Sequence, residues 1–564
     1  MDNKTNTKKE SFIERLKCSI IFLLFPMIMF GLLSPLEIFV GNADEFLFGT
    51  GDFIWIFLGI TLLAGLVLAL VISLLPTRLR HGAYICCFAV SLMAYLQNMF
   101  LNKTLMRTDG SKVEWDKLAS YTRVNLIIWI SVFALICLLP LIVKKWKQIY
   151  MGVSGFLGLI QLVAALSIIF TAKYSIGNDN HYALDASKQL DVAANENVIV
   201  IILDRYANGA FDDAREDDAS FDRVFADFTY YDNANSKYNY TFPSMAYMMT
   251  GVDPDCTETT SDYKYRAWTT GMSASLHDDL AAKGYDYRLY TGSGRHVYYD
   301  ASYLVGSIDN LIELPPTAYK VNSSNLTFLF TKMTLFKYAP YIVKPKLEIQ
   351  NFQFDGIVEY DGVDYCMEDN ASFMEQMCEK GISIDETMDN AVTVMLLSGI
   401  HTPYTIGADG SRVCDNDSDL RACQLGINVI LDRYFSELKQ LGVYDDATII
   451  VTADHGLYIE SNDPQPIYLI KLPGQSQETM QINSAPISTE DYMATIYELV
   501  CGGDSDNKYG KSIFYWQELD QRTRSCQYPN NGFDVFTYTG NRMQLRELIE
   551  EGSCTRIEAT EDWD

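Results

Sequence analysis

Apolar residues are unevenly distributed along this chain, and the pattern changes character near residue 171. Before that point five apolar runs stand near residues 20–38, 53–75, 83–101, 124–143 and 151–170. Each approaches the roughly 20 residues that a helix rising 1.5 Å per residue needs to cross a hydrocarbon core. A cleaved leader would show one short apolar core followed by a soluble chain; four more runs follow here, so the first reads as a retained span. Beyond residue 196 the apolar runs shorten and alternate with helical periodicity. Residues 197–203, a continuous β-branched run, and the runs 391–397 and 447–453 read as strands buried on both sheet faces. Residues 285–290 and 466–472 read as further strands, and 272–283, 418–441 and 488–500 as helices. Strands alternating with helices predict a mostly parallel sheet covered on both sides. The predicted fold class is therefore an N-terminal transmembrane α-helical bundle followed by an α/β domain.

Length and charge sharpen this division. A chain of 564 residues is too long for a single core. With 48% hydrophobic and 21% charged residues it is not a disordered polymer. A net charge of −28 argues against a nucleic-acid partner. That average conceals two halves, because residues 1–171 carry 15 basic and 10 acidic side chains, net +5, and the remainder is net −33. The expected organisation is a five-span domain (1–171), a polar linker (172–196), a catalytic domain (197–515) and a C-terminal extension (516–564). Orientation follows the basic residues: those before the first span, Arg78 and Arg80, and Lys144, Lys145 and Lys147 all mark cytoplasmic segments. Lys103, Arg107, Lys112 and Lys117 are discordant, falling in an outer loop. Five spans place the acidic part outside the plasma membrane. Its eight cysteines include three pairs close in sequence, Cys366 with Cys378, Cys414 with Cys423 and Cys526 with Cys554, which suggest local disulfides.

Ligands of parallel sheets collect beyond the carboxyl ends of the strands. That rule singles out Asp204, which ends the run 197–203, and Asp454-His455, which follow 447–453. An adjacent carboxylate and imidazole can both reach one divalent cation, and Gly456 behind them lets the backbone turn closely. His401 also follows a predicted strand. Arg295, in the turn after 285–290, has the charge to meet an anionic substrate. In the stretch TFPSMAYMMTG, Thr241 can cap a short helix that Gly251 ends, so its hydroxyl would face the positive end of the helix dipole.

Taken in order, strand-Asp, TFPSMAYMMTG, strand-GIHTPY and strand-TADHG resemble the sulfatase-like branch of the alkaline phosphatase superfamily. With five spans in front, the chain looks like lipoteichoic acid synthase and the related phosphoglycerol and phosphoethanolamine transferases. The resemblance implies an alkaline-phosphatase-like α/β domain and one divalent metal, manganese or zinc with magnesium as a further candidate, held by Asp204, Thr241, Asp454 and His455. It further implies Thr241 as nucleophile and His401 against the substrate phosphate or the leaving group. The expected partners are a membrane lipid donor and a cell-surface glycan or polymer acceptor, with a phosphoglycerol- or phosphoethanolamine-like group passing through a phosphothreonine. The alternative is a phosphate or sulfate ester hydrolase on the same fold. Two departures matter. Sulfatases need Cys or Ser in the frame C/S-x-P-x-R, to be oxidised to formylglycine, whereas here Thr241, Phe242, Pro243, Ser244 and Met245 stand in it. Lipoteichoic acid synthases, in turn, usually have Glu where Asp204 stands.

Overall fold

The computed structural model describes residues 10–42, 46, 48–103, 105, 113, 115–171, 182–292, 294–315, 319–349, 353, 357–360, 363–414, 418–457, 464–529, 532–540, 548–549 and 552–559. The chain divides into two compact units: residues 1–179 together with 319–359, and residues 180–318 together with 360–564.

Five helices make up most of the first unit: Phe12–Val40, Thr50–Leu74, Thr77–Leu101, Ala119–Ile142 and Trp146–Phe170. Each is long and apolar enough to cross a membrane. Large apolar side chains such as Leu62, Leu141 and Phe170 point outward, while aromatic pairs such as Phe22 stacked on Tyr84 fill the interior. A helix apolar on all sides is suited to lipid around it and protein within. Two of the five contain a π-helical turn, at Met29–Leu33 and Gln97–Leu101.

The second unit is organised by a seven-stranded sheet. Its strands in chain order are β1 (Glu196–Leu203), β2 (Thr229–Tyr231), β3 (Tyr285–Tyr290), β4 (Asn390–Leu397), β5 (Thr448–Thr452), β6 (Tyr468–Lys471) and β7 (Gln481–Asn483). Across the sheet they run β7-β2-β6-β5-β1-β4-β3. Only β6 runs antiparallel to its neighbours. The continuous apolar runs are explained by burial on both faces. Ile199, Ile201 and Leu203 of β1 join a core with the helix Leu420–Leu441, while Val198, Val200 and Ile202 join a second core on the opposite face with the helix Tyr492–Cys501. Residues 182–184 and 191–193, in the stretch expected to be linker, form short strands that pair with 311–313 and 383–385 in this unit.

Beyond residue 516 lies a three-stranded antiparallel sheet, Thr523–Pro529, Gly532–Thr539 and Cys554–Glu558. Its first strand is tied to residues 237–239: Gln527 N–H donates to the Lys237 carbonyl at 2.8 Å and Asn239 N–H to the Gln527 carbonyl at 2.9 Å. The expected local disulfides are not formed among the described residues: Cys366, Cys378, Cys414, Cys423, Cys526 and Cys554 are unbridged. Cys526 and Cys554 are both registered with Phe536, on either side of the central strand. Two strand spacings of about 4.8 Å separate them, beyond the roughly 7 Å reach of a disulfide.

Candidate active site

β1 and β5 are parallel neighbours, with Thr452 paired to Ile202, so the residues that follow them emerge side by side at one edge of the sheet. Asp204, Asp454 and His455 meet there, each offering a ligand atom within 4.8 Å of the others. His455 Nε2 is 3.6 Å from both Asp204 Oδ1 and Asp454 Oδ2. Asp454 and His455 are buried, and the Asp204 side chain is 13% exposed. Thr241 completes the group, its hydroxyl donating to Asp204 Oδ1 at 3.5 Å.

The atoms not engaged in protein hydrogen bonds show what the cluster can hold. Asp454 Oδ1 accepts the backbone N–H groups of Arg205 (3.1 Å) and His455 (2.9 Å). Its Oδ2 is buried and has no hydrogen-bond partner among the described residues. His455 Nδ1 lies 2.6 Å from the Gly456 carbonyl; this contact places the proton on Nδ1 and leaves the Nε2 lone pair facing the two carboxylates. Two carboxylates, an imidazole lone pair and a hydroxyl form an oxygen and nitrogen donor set fit for a small divalent cation. Electrostatics agree. The Asp204 pKa is pushed well above the usual carboxylate range, by burial first and then by Asp454 and Glu368. Burial lowers that of His455. A cation would relieve both effects.

Thr241 does not cap its helix. The helix Thr241–Thr250 has Tyr240 as its cap residue, without a side-chain capping bond, and Phe242 is extended at φ −94°, ψ 126°. The kink frees the Thr241 hydroxyl for Asp204. The helix ends as expected on Gly251, at φ 68°. The same helix is locked to the neighbouring strand end by Ser244, whose hydroxyl donates to the Asp454 carbonyl at 2.7 Å; Ser236 reaches that carbonyl at the same distance.

His401 sits in the turn after β4, where its backbone N–H donates to the Ser398 carbonyl at 2.9 Å. Burial, then Arg205 and His455, push its pKa down to about 4, so the ring is neutral near pH 7 and can serve as a hydrogen-bonding group. Arg295 falls in the short helix Gly294–Val297, and its side chain lies outside the described residues.

Several supporting residues went unassigned in the sequence. Arg205 is left-handed at φ 65°, a costly conformation for a side chain of this size. Glu368 feels Asp204 and accepts from the Thr291 hydroxyl at 3.3 Å. Asn370 clamps Gly399 with a pair of hydrogen bonds of 2.8 and 3.1 Å. Ser244 stood inside the quoted motif, but nothing local ties it to Asp454, which is 210 residues away.

The family model described as Sulfatase matches residues 196–503. No curated protein matches the chain. Among solved structures it is similar to the lipoteichoic acid synthase LtaP from Listeria monocytogenes, at 11% identity over 62% of this chain and 83% of that one, with a TM-score of 0.33. A protein in the alkaline phosphatase superfamily from Vibrio parahaemolyticus gives 12%, 63%, 78% and 0.35 by the same measures. The C-terminal periplasmic domain of EcEptC from Escherichia coli gives 12%, 58%, 88% and 0.31.

Proposed function

The chain belongs to the sulfatase family, and from that premise we propose that it is a membrane-anchored, metal-dependent transferase whose nucleophile is Thr241. It moves a phosphoglycerol- or phosphoethanolamine-like group from a lipid donor to a cell-surface glycan or polymer. The observation that carries this reading is the Thr241 hydroxyl, hydrogen-bonded to Asp204 beside Asp454 and His455. A threonine cannot become the formylglycine aldehyde that sulfate hydrolysis in this family requires, yet its hydroxyl can take up and release a phosphoryl group.

In this reading Asp204, Asp454, His455 and Thr241 would hold one divalent ion, manganese or zinc with magnesium as a further candidate, which would ease ionisation of the Thr241 hydroxyl and offset negative charge. Thr241 Oγ attacks the headgroup phosphorus. An Oγ–P bond forms as the Thr241 proton passes to Asp204 Oδ1, which already accepts it in a hydrogen bond; the bond from phosphorus to the diacylglycerol oxygen breaks, and that oxygen leaves after taking a proton from water. Asp204 Oδ1 aligns the hydroxyl before attack, and the neutral His401 ring hydrogen-bonds a phosphate oxygen. An acceptor hydroxyl then displaces Thr241, so water must be kept from the intermediate. Five spans support a lipid donor, since tethering beside the headgroup raises its effective concentration. The same spans, with basic residues in alternate turns, support an extracellular catalytic unit in the plasma membrane.

The second reading, hydrolysis of a phosphate or sulfate ester, is favoured by the family match itself. The test reconstitutes the full-length protein in vesicles with labelled phosphatidylglycerol or phosphatidylethanolamine and follows diacylglycerol. Release that Thr241→Ala abolishes, with a lipid-derived adduct on Thr241 by mass spectrometry, is the expected result. No release from either lipid, together with aryl sulfate cleavage lost in the same variant, would replace the transferase by the hydrolase.

A further inference from the structure

Between β3 and β4 the chain leaves the catalytic unit in sequence and joins the first unit, to which residues 319–359 belong. We propose that its helix Ser323–Tyr338, with the turn that follows to Leu347, is an interfacial segment that lies in the non-cytoplasmic surface layer of the membrane. The proposal rests on the reading of the five helices as spans and is independent of the reaction catalysed.

Three observations carry it. The first is where the segment docks. Phe330 enters an aromatic cluster with Phe53 and Phe57 at the start of the second span, ring centroids 5.3 and 6.1 Å away. The Ser34 hydroxyl, near the end of the first span, donates to Thr334 Oγ1 at 3.1 Å, and Lys337 pairs with Glu37. Asn102, just past the third span, donates to the Lys337 carbonyl at 2.8 Å. Asn125, at the start of the fourth, accepts the Tyr341 N–H at 3.1 Å. Every one of these partners lies at the same end of its span. That end is opposite the turns carrying Arg78, Arg80, Lys144, Lys145 and Lys147, and is therefore the non-cytoplasmic one.

The second observation is the face turned away from the bundle. Phe328, Thr331 and Leu335 follow one another at helical spacing on the exposed side, and Ile342 and Val343 extend the surface past the helix end. Phe328 is 59% and Leu335 48% exposed, although the opposite face, with Leu326, Leu329 and Phe330, is buried. The helix is thus apolar on both sides, one meeting protein and the other exposed, at the end of the spans where its docking partners lie. Lipid is the occupant that an exposed apolar face at this level calls for.

Charge is the third. From Tyr319 to Leu347 there are five lysines and no acidic residue, within a part of the chain that is otherwise strongly acidic. Lys332 and Lys346 sit beside the apolar face in sequence, as in segments that combine apolar insertion with phosphate contact. A face packed against water or against the acidic catalytic unit has no need of this composition.

The test uses the full-length protein in vesicles of phosphatidylcholine and phosphatidylglycerol containing a phospholipid with a diazirine in its acyl chain. After photolysis, peptides are mapped by mass spectrometry. Adducts on Phe328, Leu335 and Ile342–Val343 should approach those on span residues such as Ile130 and Leu141. Leu519, 90% exposed in the catalytic unit, should carry about tenfold fewer, because an interfacial helix is immersed by only about 5–10 Å but a solvent-facing residue not at all. If the spans are labelled and residues 323–347 carry no more adduct than Leu519, the interfacial segment is refuted. If the spans themselves stay unlabelled, the membrane reading falls with it.

Discussion

Gly399 stands so close to Asp204 that a Cβ on it would lie 2.3 Å from the Asp204 carbonyl oxygen and 2.6 Å from its nitrogen. Both crowding atoms are backbone, so neither can swing aside, and Gly399 is left-handed at φ 53°. The ends of β4 and β1 are thereby pressed together: Asp204 N–H donates to the Leu397 carbonyl at 2.9 Å and Ile400 N–H to the Asp204 carbonyl at 3.1 Å. Gly399→Ala is expected to cost about 3 kcal/mol through strain and displaced backbone, and to move Asp204 away from its partners. A thermal melt and a metal titration of this variant should both shift. Wild-type values in both would show that the contact is dispensable.

The donor set of Asp204, Asp454 and His455 predicts metal content. His455→Ala and Asp454→Ala should each retain well under half of the wild-type metal per protein by elemental analysis, with the fold preserved by circular dichroism. Asp454 Oδ1 also holds two backbone N–H groups, so Asp454→Asn is the gentler substitution. Stoichiometry equal to wild type in both alanine variants would remove the proposed centre.

Stability should depend on pH through His277 and Asp309. The pKa of His277 is raised, chiefly by the hydrogen bond between its Nε2 and Asp309 Oδ1 at 3.0 Å, against the opposing effect of burial. Burial would raise the Asp309 pKa, but His277 and the Tyr287 N–H outweigh it, and the net direction is downward. Asp278 and Arg288 also face the pair and act in the same directions. A raised histidine contributes stability that is fully present below its unfolded pKa of about 6.5 and is lost as pH rises through the folded value. The lowered Asp309 contributes above about 3.9 and fades as pH falls. The destabilisation in His277→Gln should therefore peak near pH 5, at up to ~1 kcal/mol for this partly exposed pair, and vanish near pH 9. A penalty independent of pH would assign His277 a packing role instead.

Arg524 joins the C-terminal sheet to the rest of the catalytic unit. Its guanidinium is buried and donates to the carbonyls of Asn233 (2.5 Å), Ile487 (3.0 Å) and Gly540 (2.7 Å) and to Asn233 Oδ1 (2.8 Å). Arg524→Met should lower stability by about 3 kcal/mol, because several buried acceptors lose their donor together. Arg556→Met, which removes an exposed pair with Asp534, should cost less than about 1 kcal/mol. Equal melting temperatures for the two variants would mean that the sheet folds without the Arg524 link.

What the amino-acid order determined by itself is whatever physics makes local and periodic. A membrane span must be one uninterrupted apolar run, and all five were legible with ends within about ten residues of the helices. A strand covered on both faces must also be apolar without alternation, so β1, β4 and β5 could be read directly, together with the acidic residues and histidines that end them. Tertiary structure decided everything that depends on pairing across hundreds of residues. The three-residue strands β2 and β7 have too few positions to show a period; β2 is held against β6, and β7 against β2. Ser244 gains its role from a carbonyl 210 positions away, and Gly399 from the backbone of Asp204. Thr241 reaches Asp204 through a kink that its own motif does not announce. Cys526 and Cys554, a pair that looked natural by spacing, are parted by an intervening strand. Residues 319–359 read as part of a continuous catalytic domain, because sequence adjacency cannot reveal that Phe330 and Thr334 find their partners on the spans some 300 residues earlier.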